Sequence, residues 1–176
     1  MTVADHRGRL SALATRLRVL SAGLALWCLG LLGFGLYLQH VVGHEPCPMC
    51  IVQRYALIGV ALLAALAAAL PGRAVRVGLI AGAALVAGFG AFVAARQSWL
   101  QWFPPDIQTC GRDFYGMIEA FPLKRAIPMI FRGSGDCTAI DWTWLGLTIA
   151  NWSFLNFVAM AAVCLALLVA AVRRRS

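Results

Sequence analysis

Cys47 and Cys50 stand in the run Cys-Pro-Met-Cys, and Arg54 follows four residues after the second cysteine. Two cysteines at this spacing form a dithiol that can close and reopen, with one thiolate stabilised by its surroundings. A bridge closing so small a ring removes little chain entropy, so a purely structural disulfide explains the spacing poorly. If a helix begins near Cys50, its free N–H groups and dipole favour a thiolate there. Arg54 then lies on the same helical face, one turn on. Its guanidinium stays charged at any relevant pH. Two roles are open to it: snorkelling toward lipid headgroups, or stabilising the Cys50 thiolate and polarising the carbonyl oxygen of an acceptor. Gln53 could add a polar contact or face another helix.

Cys110 and Cys137 are separated by 26 residues, and as a bridge they would clasp a long loop. A four-cysteine zinc site usually combines two short knuckles, and this chain has only one, so no metal is expected. Cys28 and Cys164 lie inside apolar runs, where free cysteine serves as a small buried hydrophobe. A dithiol that repeatedly releases electrons needs an acceptor. The chain has no Rossmann glycine pattern and no haem-attachment motif. Beside lipid, the natural acceptor is a lipid-soluble quinone. Gln97, Trp99 and Gln101 close the third apolar run at the depth of Cys50, so they would help line a quinone pocket. His40 and His44 read as interfacial side chains rather than proton relays.

The elements that must position these residues follow from composition. Hydrophobic residues make up 61% and charged residues 12%, more apolar surface than a water-soluble chain of 176 residues can hide. The net charge of +8 does not mark a nucleic-acid binder, because the charges are confined to short stretches between long uncharged runs. Membrane helices need about 20 apolar residues, and four segments supply them: about 19–38, 51–70, 77–95 and 152–172. No period-2 alternation suggests a β-barrel. The first span is expected to be an uncleaved helix, since no A-x-A site closes it. Arginines cluster at the N-terminus, at Arg73 and Arg76, and at the C-terminus. By the positive-inside rule both termini are cytoplasmic. The loops at about 39–50 and 96–144 then face outward, and they carry Cys47, Cys50, Cys110 and Cys137. In the second loop Phe114, Ile118 and Phe121 recur at helical spacing, predicting a short amphipathic surface helix. The expected fold is a single all-α domain, a four-transmembrane-helix bundle in the lipid bilayer.

Cys-x-x-Cys-x-x-x-Arg at a span entrance, with Thr109-Cys110 and Gly135-Asp136-Cys137 in the second loop and a Trp-rich entry to span four, closely resembles the DsbB family. These are bacterial inner-membrane thiol:quinone oxidoreductases. The resemblance implies a Cys110–Cys137 disulfide that meets the reduced periplasmic partner DsbA, with Cys110 attacked first. It implies that a Cys47–Cys50 pair regenerates that bond, and that Cys50 passes electrons to ubiquinone or menaquinone beside Arg54. Gln97 stands where some members of the family have a quinone-proximal histidine. The DsbA–DsbB–quinone relay keeps the bacterial periplasm oxidising, and that is the role implied. The competing classes are a small transporter and a four-span protein with inert structural disulfides. A transporter would be expected to bury an ionisable residue deep in a span, and an inert protein has no use for the Cys50–Arg54 pairing.

Overall fold

The computed structural model describes residues 3–104, 135–138, 140 and 142–173. In chain order the elements are α1 (Val3–His40), α2 (Pro48–Ala69), α3 (Arg73–Trp102), the one-turn α4 (Gly135–Thr138), β1 (Thr143–Trp144), β2 (Leu147–Thr148) and α5 (Ile149–Arg173). Cys110 and the amphipathic segment around 114–131 lie outside the described residues. A segment crossing hydrocarbon must satisfy its own backbone groups, which a helix does. Among the described residues, four segments are long and apolar enough to cross: Thr15–His40, Pro48–Ala69, Arg73–Trp102 and Ile149–Ala171. The architecture is a four-helix membrane bundle.

Local chemistry sets each boundary. Helix α1 ends with Gly43 at φ +83, and the His44 N–H donates to the Leu38 carbonyl at 3.0 Å. This left-handed glycine cap turns the chain back over the bundle. Between α2 and α3, Pro71 and Gly72 break the helix, and Arg76 closes the gap. Its Nε donates to Ala67 O at 3.0 Å and its Nη2 to Leu70 O at 3.3 Å, meeting carbonyls that the end of α2 leaves open. Arg76 is therefore buried as a cap, not simply displayed as one of the positive charges of that membrane face. Helix α3 continues past residue 95 because no glycine or proline interrupts it before Pro104, so Gln97 and Gln101 are helical residues. Helix α5 starts at Ile149, where Thr148 Oγ1 accepts the Asn151 N–H at 3.3 Å as an N-cap.

Helix α3 is the centre of the bundle, packed along α2 on one side and α5 on the other. Ala56, Ala64 and Ala67 of α2 and Ala83, Ala87 and Ala94 of α3 are core residues, and small side chains bring the backbones close. The tightest approach is at Gly90, where an added Cβ would fall 2.6 Å from Cδ1 of the buried Phe157 on α5. Helix α1 packs on α2 and scarcely meets α5. The two are linked by Trp27 Nε1 donating to Asn156 Oδ1 at 3.1 Å and by Cys28 Sγ, 3.8 Å from Met160 Sδ. Cys28 and Cys164 are fully buried in the main apolar core.

Gly90→Ala is expected to destabilise the bundle by about 1–3 kcal/mol, the usual cost of overpacking a filled core. Phe157→Leu in the same chain should recover part of it. Reaction of the buried thiols Cys28 and Cys164 with a fluorogenic reagent during heating reports the change. An unaltered melting temperature in Gly90→Ala would contradict the close packing of α3 on α5.

Candidate active site

Cys47 is the N-cap of α2. Its backbone is extended at φ −66, ψ 162, Pro48 occupies the first helical turn, and the Cys50 N–H donates to Cys47 Sγ at 3.3 Å. Proline is pre-shaped for that position and lacks an N–H that would go unbonded there. A sulfur thus takes the place usually held by a serine or aspartate oxygen. The same geometry brings the Cys47 and Cys50 sulfurs to 2.8 Å, where either thiol can donate to the other.

Two further elements close over this pair. From α3, Gln97 Nε2 donates to Cys47 Sγ at 3.4 Å and to Cys50 Sγ at 3.3 Å, while its Oε1 accepts from Gln53 Nε2 at 2.7 Å. From α4, the fully buried Cys137 joins Cys47, Met49, Val93 and Leu100 in a small apolar cluster above the main core. Cys137 is also a hydrogen-bond partner of Cys47. Hydrogen bonds to Cys137 and Cys50, and then burial, push the Cys47 thiol well above the usual thiol range.

On its other side Cys50 faces a cavity of about 600 Å³, the size of a small-molecule site. The walls are mainly apolar, with Leu31 and Phe34 from α1, Leu57 from α2, and Trp152 and Phe157 from α5. The cavity lies where α1 and α5 fail to pack. Arg54 lines it and holds its α1 wall, with Nη2 donating to Gly35 O at 3.0 Å and Nη1 to Gln39 Oε1. A guanidinium has five N–H donors, more than these two bonds use.

The top of the cavity is covered by the hairpin that leads into α5. Leu145 and Gly146, at φ 53 and 77, form the two-residue turn that fits the twist of paired strands. The hairpin is pinned by Trp152 Nε1 on Trp144 O at 3.1 Å and by Thr148 Oγ1 on Gln101 Oε1 at 2.7 Å. Trp142 meets Phe34 of α1 edge to face, at 6.3 Å between ring centroids.

The structure brings together Cys47, Cys50, Cys137 and Gln97, and it sets Arg54 in the same cavity wall. Arg54 turns to α1, where its bonds hold Gly35 and Gln39. His44 lines the cavity mouth, whereas His40 is exposed. Gln53, for which the sequence leaves open a polar contact or a face toward another helix, does both, because its amide meets Gln97 of α3.

The Cys47–Cys137 contact makes a direct prediction. In a chain carrying Cys50→Ala and Cys110→Ala, mild oxidation should join Cys47 to Cys137 as the dominant bridge, read by non-reducing peptide mapping. Both thiols remaining free would contradict the placement of α4.

The family model described as Disulfide bond formation protein DsbB matches residues 17–167. The chain is 66% identical to Disulfide bond formation protein B of a Polaromonas species, over 86% of this chain and 90% of that protein. It is 68% identical to the protein of the same name from Paracidovorax citrulli, over 83% of each. The counterpart in Polaromonas naphthalenivorans is 62% identical over 90% of this chain and 95% of its own length. The matched region takes in the dithiol, the cavity and nearly all of the four-helix bundle, and the chain belongs to the DsbB family of disulfide bond formation proteins.

Proposed function

We propose that this membrane redox protein reoxidises a periplasmic thioredoxin-like oxidase of the DsbA kind and delivers the electrons to the membrane quinone pool. The observation that carries this reading is the two-sided position of Cys50. One side meets the sulfur cluster and the other an apolar cavity between membrane-crossing helices. The inner membrane, with both termini cytoplasmic, is the location that the positive-inside rule supports.

The exchange steps conserve electrons. A thiolate of the reduced partner attacks Cys110 of a Cys110–Cys137 disulfide, and Cys137 leaves with the electron pair. The Cys137 thiolate attacks Cys47, its neighbour in the cluster, and breaks the Cys47–Cys50 bond. Cys50 leaves with the pair, under the donor N–H of Gln97. The partner's second thiolate then releases its own disulfide and frees Cys110. Cys110 attacks Cys137, which re-forms the loop disulfide and leaves Cys47 and Cys50 as a dithiol.

The cavity fits a quinone ring by its apolar aromatic walls, by its volume, and by Arg54 as a donor for a carbonyl oxygen. Ubiquinone or menaquinone bound there would supply a two-electron, two-proton acceptor. The protein's own part is to hold Cys50 at the cavity wall and exclude water with the Trp142–Trp144 cover. Arg54 presents a fixed positive charge one helical turn from the thiolate.

Arg54→Met keeps the side chain's bulk and removes its charge and donors. The expected result is an apparent KM for quinone raised about tenfold or more, as for loss of a hydrogen bond from a charged donor. A single round of exchange with partner thiols should be unaffected. Arg54→Lys should recover part of the loss, since an ammonium keeps the charge without the planar fork. Steady-state quinone reduction at varied quinone, alongside a quinone-free exchange assay, measures both. An unchanged KM would leave Arg54 as a tie to α1 alone.

A further inference from the structure

Gln53 and Gln97 are both nine-tenths buried, at 5% and 4% exposure, and they face each other across the α2–α3 interface. An amide has a donor end and an acceptor end, and only one suits an electron-rich sulfur. Gln97 turns its Nε2 to both sulfurs, donating at 3.3 and 3.4 Å, while its carbonyl Oε1 accepts from the protonated Cys50 thiol over a longer 3.7 Å. That orientation is held by Gln53, whose Nε2 donates to the same Oε1 at 2.7 Å. Were the Gln97 amide reversed, its NH₂ would confront the NH₂ of Gln53, and a carbonyl dipole would face the sulfurs. Water cannot readily repair such a mismatch in a site this buried, where an unmatched polar group is costly.

We propose that Gln97 is the hydrogen-bond donor to the reacting sulfurs and that Gln53 is a positioning residue acting through it, by fixing which end of the Gln97 amide meets Cys47 and Cys50. The two amides form a neutral clamp. It stabilises Cys50 when the Cys47–Cys50 bond breaks and Cys50 takes the electron pair, with no proton transferred to or from either glutamine. The ionisable groups around Cys50 are Cys47 and Cys137 in the cluster and His44, Glu45 and Arg54 along the cavity it faces, while its contact from α3 is the neutral Gln97. That catalytic step rests on the exchange reaction proposed above. The clamp itself can be tested without partner or quinone, so the two readings fail separately.

The test uses the full chain in detergent, fully reduced, with iodoacetamide alkylation of Cys50 followed by peptide mass mapping across pH. Gln53→Met retains bulk but has no N–H. It is expected to slow Cys50 alkylation about tenfold at about pH 7, the effect of one hydrogen bond to a charged group. The difference should close near about pH 10, where accessible thiols ionise unaided. In a Gln97→Met background, Gln53→Met should change the rate by less than about twofold, because its effect passes through Gln97. Cys28 must stay unmodified as the mark of an intact fold. Gln53→Ser, too short to reach Gln97, is the second variant and must repeat the result. A wild-type rate at pH 7, an equal slowing at every pH, or a full effect in the Gln97→Met background would each overturn the proposal.

Discussion

Helix α2 begins at Pro48, and the first turn of that helix meets a sulfur. Cys47 stands just outside the helix as its cap, and Cys50 lies within the first turn, at the N–H that donates to Cys47 Sγ. Every other feature of the site is phased from that start. Because successive helical residues turn by about 100°, Gln53 points to α3 while Arg54 reaches α1. Moving the cap by one residue would turn Cys50 away from Cys47, and would send Gln53 and Arg54 to the wrong neighbours. The proline is the device that holds this register, since it suits the first turn and no interior position.

The bundle surrounds that start unequally, and the inequality makes a site. Small residues draw α2, α3 and α5 into close contact, most tightly where Gly90 receives Phe157. Between α1 and α5 packing is sparse, and a cavity opens there instead. Cys50 sits where the two regimes meet. Toward α3 and α4 it is enclosed by Gln97, Cys47 and Cys137, and toward the cavity it faces aromatic and aliphatic walls. The proposed function uses both surroundings, a protected sulfur cluster for exchange and an apolar space for the electron acceptor.

Much of this was legible in the chain. Long uncharged runs give the four helices because hydrocarbon admits few alternatives. The Cys47–Cys50 spacing and Arg54 identify a dithiol at a helix start because those relations are local. The cover over the cavity and the link between α1 and α5 were not legible. Thr148 finds Gln101 and Trp27 finds Asn156 across long sequence separations, and no local pattern encodes such pairs. Gln97 was read as a residue of the quinone pocket. It does line the cavity, but its amide hydrogen-bonds the sulfurs, a choice that depends on Gln53 from another helix. Arg76 illustrates the same limit: its charge counts toward topology, while its burial as the cap of α2 follows only from the α2–α3 turn.

The role proposed for Cys50 is to join the sulfur cluster to an acceptor in the cavity. Anaerobic titration with a soluble quinone probes this in fully reduced protein carrying Cys110→Ala and Cys137→Ala, where the new bond cannot pass to the loop cysteines, following quinol formation and mapping disulfides at each point. The expected result is one quinol for each Cys47–Cys50 bond formed by the first equivalent, with Cys28 and Cys164 remaining as thiols. No quinol, or a first disulfide that excludes Cys50, would contradict it.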